Sequence, residues 1–179
     1  MMILQDREIE GNSKQWKNWM SRLLPNTCTE CAGKHGTIYP FDVDDSQYVP
    51  AHLHGQCRIV PMRVKPVGTA TNAGALGADV SLLYTHALPD NYISMDEAFD
   101  LGWIAQAGNL GIVAPGKMVY DEHQNRAGKL PAAPGRKWYE ADINYSGGYR
   151  GHDRILFSSD GLVFVSYDHY KTYYEITRG

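Results

Sequence analysis

Within WYEADINYSGGYRGHDRILFSSDG, residues 138–161, a single carboxylate, Glu140, sits among apolar residues, with two arginines, Arg150 and Arg154, four positions apart downstream. Further along, YDHYKTYYEI supplies His169 between two strand-like runs. A carboxylate held on a sheet can act as a general base and a histidine as a general acid, while paired guanidiniums bind a phosphate and offset the charge of its transition state. These are the parts of metal-free phosphodiester cleavage, and RNA suits it because the 2′-OH serves as nucleophile once deprotonated. Taken singly, each part also has a bland explanation: a strand glutamate paired to an arginine, or a histidine in a turn.

The elements that must position them follow from periodicity. From Trp138 the period is two, with Tyr139, Ala141, Ile143, Ile155 and Phe157 on one face and Glu140, Asp142 and Arg154 on the other. SSDG at 158–161 marks a hairpin, and LVFVSYD and TYYEI read as further strands. Upstream, ADVSLLYTHAL reads as a helix, and Ser94 with Glu97 forms a capping box that starts a second, with Gly102 near its end. Helices first and an antiparallel sheet afterwards predict an α+β domain.

Ahead of these lies a different composition. All three cysteines, Cys28, Cys31 and Cys57, fall in the first third, with His54 three residues before the last. An odd, clustered set argues for metal ligation over a disulfide framework, and Cys28, Cys31, His54 and Cys57 would make a closed, structural Cys3His zinc site. Trp16, Trp19, Met20 and Leu23 are spaced for a short amphipathic helix ending near Pro25. Residues 64–80 are rich in Gly, Ala and Thr, the composition of a linker. The expected organisation is a Cys/His module over 1–66, a linker over 67–75 and a second domain over 76–179.

The net charge is −3, and residues 88–179 carry nine basic against twelve acidic side chains, so a polyanion site must be a local arrangement and not a global field. No window approaches the roughly 18 apolar residues of a membrane span. The opening MMIL is too short an apolar run for a signal peptide, so no secretion signal is expected.

Two resemblances add to this reading. TCTECAGKHGTIYPF and VPAHLHGQCRIVPMRV resemble the C-terminal end of the Mu F-type phage head morphogenesis proteins, with Ile59 where that family often has a further cysteine. More extensively, residues 76–177 are similar nearly end to end to the barnase-like microbial, guanyl-preferring ribonucleases. This resemblance implies three N-terminal helices packed on a twisted antiparallel sheet and an active site on the sheet's open face. It implies Glu140 as general base, His169 as general acid, and Arg150 and Arg154 as phosphate ligands held by Asp142. Asn125, Arg126, Tyr170 and His123 fall at nucleotide-binding positions. Three positions depart from the pattern: Met95 replaces the family's active-site lysine, Ala127 the loop glutamate that reads guanine, and His123 the loop's aromatic; Lys117 is a nearby cation that could substitute for the lysine.

Together the resemblances imply an endoribonuclease at the end of a phage-head-associated toxin, associated with virions or delivered into a target cell's cytoplasm. A barstar-like inhibitor in the producing cell is its expected partner, and capsid or portal its expected dock. The alternative is a catalytically weakened RNA-binding or virion structural protein.

Overall fold

The computed structural model describes residues 11–48 and 57–178. Nine strands form one sheet in the order β2-β1-β3-β9-β8-β7-β6-β5-β4. These are β1 (Asn12–Ser21), β2 (Ile38–Pro40), β3 (Cys57–Pro66), β4 (Tyr92–Ser94), β5 (Met118–His123), β6 (Trp138–Asp142), β7 (Arg154–Ser158), β8 (Val163–Ser166) and β9 (Tyr174–Thr177). The helices are α1 (Thr29–Lys34), α2 (Ala78–Thr85), α3 (Met95–Asp100) and α4 (Leu110–Val113).

The central strands, β5 to β9, run antiparallel as expected. The sheet as a whole is mixed, because β4 joins β5 and β3 joins β9 in parallel. Each parallel partner enters from a distant part of the chain, which a reading of local hairpins does not reveal. Helix α3 opens with the expected capping box: Ser94 Oγ accepts from the Glu97 N–H at 3.1 Å and Glu97 Oε2 from the Ser94 N–H at 2.7 Å.

The expected helix over 14–24 is instead a strand, β1, paired to β3 on one side and β2 on the other. Trp16 and Trp19, three apart, would share a helix face, but on a strand they point to opposite sides. Trp16 packs edge-on against Phe164 at 5.9 Å, while Trp19 is fully buried with Cys31 and Ile59. Two separate apolar sites and hydrogen-bonding partners on both flanks outweigh a weak helical pattern in a segment too short to hold a helix alone.

Residues 67–77 are compositionally linker-like and are held at several points. Asp79 Oδ2 accepts the Gly68 amide at 2.7 Å and the Ala70 amide at 3.3 Å, and the Tyr167 hydroxyl donates to the Ala70 carbonyl at 2.7 Å. The main core lies between α2 and the sheet, where Leu82 meets Ala141, Ile155 and Val165. A second cluster fills part of the opposite face with Ile38, Met62, Leu130, Trp138, Leu156, Phe164 and Tyr173. A third gathers Ala98, Trp103, Leu110 and Val119 around α3 and α4. The opposite face is therefore open only where its polar side chains stand.

Candidate active site

Pairing of β6 with β7 sets the centre of the site. Register places Glu140 across from Leu156 and Asp142 across from Arg154, so the carboxylates and Arg154 share the face away from α2. Asp142, almost fully buried, holds both arginines. Arg150 grips it bidentately, Nε to Oδ2 and Nη2 to Oδ1 at 2.7 Å each, and Arg154 Nη1 lies 3.1 Å from Oδ1. Arg154 also donates to the carbonyls of Gly151 (2.9 Å) and Asp153 (2.8 Å), and its buried Nε has no partner among the described residues. The Arg150 guanidinium lies 5.7 Å over the Trp103 ring. Burial opposes its charge, but the hydrogen bonds and charge of Asp142 prevail and raise its pKa.

Glu140 is the centre of a second network. His123 Nδ1 lies 2.6 Å from Glu140 Oε2, and the Tyr170 hydroxyl donates to the same oxygen at 2.9 Å. An ionised carboxylate only accepts, so His123 Nδ1 carries the proton in this contact. Both partners bond to Oε2. Burial works against the carboxylate's charge, but the bonds from His123 and Tyr170 and the nearby charges of His123 and Arg154 outweigh it and hold the pKa below the ordinary glutamate value.

His169 and Tyr170 occupy the turn between β8 and β9, both with left-handed backbones, φ 58° and 67°. Non-glycine residues hold that conformation only where their surroundings over-determine it. Here Asp168 accepts from the Lys171 and Thr172 amides and the Thr172 hydroxyl, and the Tyr170 amide donates to Ser166 Oγ. The His169 ring lies 4.8 Å from that of Tyr170 and stacks on His152 at 5.4 Å. Desolvation lowers the His169 pKa, and the charges of Arg154 and His152 lower it further against the pull of Glu140.

The loop after β5 is anchored at its base and exposed at its tip. Asn125 bridges Leu130 with its side chain, Nδ2 to the carbonyl at 2.9 Å and Oδ1 from the amide at 3.0 Å. Arg126, Ala127 and Gly128 are exposed. Sequence reasoning placed His123 with the nucleotide-binding group; the structure puts its ring against Glu140 and, at 5.3 Å, Tyr170. That contact links two strands across the sheet and leaves no signal in local spacing. His152 was likewise missed, being one of seven histidines in a glycine-rich turn. Met95 belongs to the apolar cluster of Ala98 and Trp103, and Lys117 donates to the Asp90 carbonyl at 2.7 Å.

Of the four expected zinc ligands, His54 lies outside the described residues. The three thiols do meet: Cys31 is buried, its amide donates to Cys28 Sγ at 3.3 Å, and its thiol hydrogen-bonds to Cys57 and Cys28. Those thiol contacts, that of Cys57 foremost, together with burial push the Cys31 pKa up to about 12. The thiols are a donor set of the right softness, yet among the described residues no group of three His, Cys, Asp or Glu is arranged to hold a metal. His35 is otherwise engaged, accepting the Ser21 amide at 3.1 Å. No helix among the described residues is long and apolar enough to cross a membrane.

A carboxylate and two guanidiniums share one face of a helix-backed sheet, with a histidine close enough to feel their charge. The family model described as ribonuclease matches residues 77–177, more than half of the chain. A ribonuclease of Heyndrickxia coagulans is 51% identical over 100 residues, which are 55% of this chain and 91% of that protein. Ribonucleases of Bacillus intermedius and Bacillus pumilus are each 51% identical over 100 residues, 61% of their own lengths. The chain belongs to the ribonuclease family, and it is an endoribonuclease. Residues before 77 lie outside the match.

Proposed function

We propose that the protein cleaves single-stranded RNA by metal-independent transphosphorylation. Glu140 Oε1 takes the proton of the 2′-OH as O2′ attacks phosphorus, and the bond from phosphorus to the 5′-oxygen breaks. Protonated His169 gives that oxygen its proton, leaving a 2′,3′-cyclic phosphate and a free 5′-OH. Arg150 and Arg154 take the phosphoryl oxygens and offset their charge. In the slower second step water replaces the 5′-hydroxyl, and Glu140 and His169 exchange roles. The backbone amides at Asn125 and Arg126, with Tyr170, bind the base. With Ala127 in place of a carboxylate acceptor, discrimination among bases is weak, since such discrimination depends on specific hydrogen bonds.

The observation that carries this reading is the doubly bonded Glu140 facing the Asp142-held arginine pair, with His169 set beside Tyr170. Purified protein in EDTA is expected to cleave an end-labelled RNA to cyclic-phosphate ends, and Glu140→Ala or His169→Ala to remove at least about 1,000-fold of the rate. Undiminished cleavage by both variants refutes the assignment.

For residues 1–66 the reading is a phage-head-type module stapled by a structural zinc on Cys28, Cys31, Cys57 and His54. It would place the enzyme in a particle-borne toxin that docks on capsid or portal and is held in check at home by a small acidic, barstar-like inhibitor. What supports the metal is donor chemistry alone, three soft cysteine side chains gathered in one cluster. One zinc per chain by elemental analysis, lost in Cys28→Ser with cleavage intact, is the expected result.

A further inference from the structure

Residues that precede the ribonuclease match touch both ends of its cleavage site. Ile38, at the start of β2, donates its N–H to the Lys129 carbonyl at 2.8 Å, and its side chain is buried with Leu130 and Met62. Leu130 is the residue whose backbone holds the Asn125 side chain. Ile38 is thus two contacts from the base-recognition loop.

Two residues earlier, the backbone of Gly36 lies against the Lys171 carbonyl so closely that a Cβ there would run into it. Its φ of +82° is also one that only glycine adopts freely. Gly36 is pinned from behind, since its amide donates to the Trp19 carbonyl at 2.8 Å and the Trp19 amide to the Thr37 carbonyl at 2.9 Å, with Trp19 fully buried. Lys171 is two residues past His169, in the turn whose left-handed backbone Asp168 ties down. Lys129 Nζ, 3.4 Å from the Tyr170 carbonyl, closes a ring of contacts through 36–38, 129–130 and 170–171.

We propose that Gly36 and Ile38 are positioning residues for RNA cleavage: the N-terminal strands hold the base-recognition loop and the acid-bearing turn at a set distance, coupling the module outside the family match to turnover. This rests on the reading of His169 as the acid and of residues 125–128 as the base loop. The two contacts act on different parts of the reaction. Gly36 sets the turn that aims His169, which touches only the chemical step, whereas Ile38 sets the loop that binds the base. A module that merely buried the edge of the sheet would contribute to stability alone.

The test measures kcat, KM and pH-rate profiles of the full chain on a short single-stranded RNA. Gly36→Ala is expected to lower kcat about tenfold or more, with little change in KM and a displaced alkaline limb, because small misplacements of a proton donor are costly. Ile38→Ala is expected to raise KM several-fold, and Ile38→Val, which keeps the branched side chain, to restore it. Asp45→Ala, which removes the module's ion pair with Lys17, is the control: kcat and KM unchanged. Activity within about twofold of the parent in both folded Gly36→Ala and Ile38→Ala overturns the proposal, as does equal loss in Asp45→Ala. If Gly36→Ala fails to fold, the Ile38→Ala and Ile38→Val pair decides. Cleavage that survives Glu140→Ala and His169→Ala would instead refute the assignment of base and acid, an outcome distinct from any of these.

Discussion

The proposed cleavage centre and the proposed base-recognition loop differ in how they are built. At the centre every charged group is held: Asp142 is buried beneath two arginines, Glu140 is bonded twice through one oxygen, and the His169 turn is tied by Asp168. In the loop Asn125 is fixed through its side chain and the Gly128 amide donates to the Asn125 carbonyl at 2.8 Å, while the side chains of Arg126 and Ala127 are exposed. Substitutions at the centre leave buried charges unpaired, which is expensive, whereas substitutions at the loop tip disturb nothing beneath them. The chemistry is thus constrained by folding itself, and the choice of base is left adjustable.

The strongest way to break this contrast is at Asp142. Asp142→Ala would remove the buried carboxylate that both arginines grip, and is expected to cost about 3–5 kcal/mol in urea denaturation along with nearly all cleavage. A loss no greater than at a surface site would show that the arginines are held some other way. On the loop side, Ala127→Glu is expected to raise the preference for cleaving after guanosine by about tenfold or more, read from end mapping, with an unchanged melting temperature. A large change in stability there would contradict the independence of the loop.

His123→Phe sharpens the account of the centre. The ring is kept but the hydrogen bond to Glu140 is lost, and a fall of about tenfold in kcat is expected. Because that bond lowers the Glu140 pKa, and activity rises as Glu140 ionises, the acid limb of the pH-rate profile should move upward. The smallest effect is expected at His152, whose charge helps lower the His169 pKa. With His169 as the proposed acid, active when protonated, His152→Ala should move the alkaline limb upward and leave the acid limb in place.

Much of this centre was legible from sequence because a strand alternates strictly. Once Trp138 starts a period of two, Glu140, Asp142 and Arg154 must share a face, and the register of β6 with β7 bears this out. The capping box at Ser94 was legible for a similar reason, since it spans only three residues. What failed was the segment with two competing local readings: Trp16 and Trp19 fit a helix by spacing, and only their distant partners Phe164 and Ile59 make it a strand. The parallel strands β3 and β4 escaped for the same reason, as did the contact of His123 with Glu140 across the sheet.

By itself the sequence determined the α+β class, the central antiparallel strands and the set of groups proposed to cleave RNA, because those depend on residue type and on periodicities of two to four. Tertiary structure alone decided which oxygen of Glu140 takes the bonds from His123 and Tyr170, that Lys117 is turned to the Asp90 carbonyl, and that the N-terminal strands extend the sheet and reach the His169 turn. Each of these depends on contacts between residues far apart in the chain, whose meeting is set by packing and register and not by any local preference.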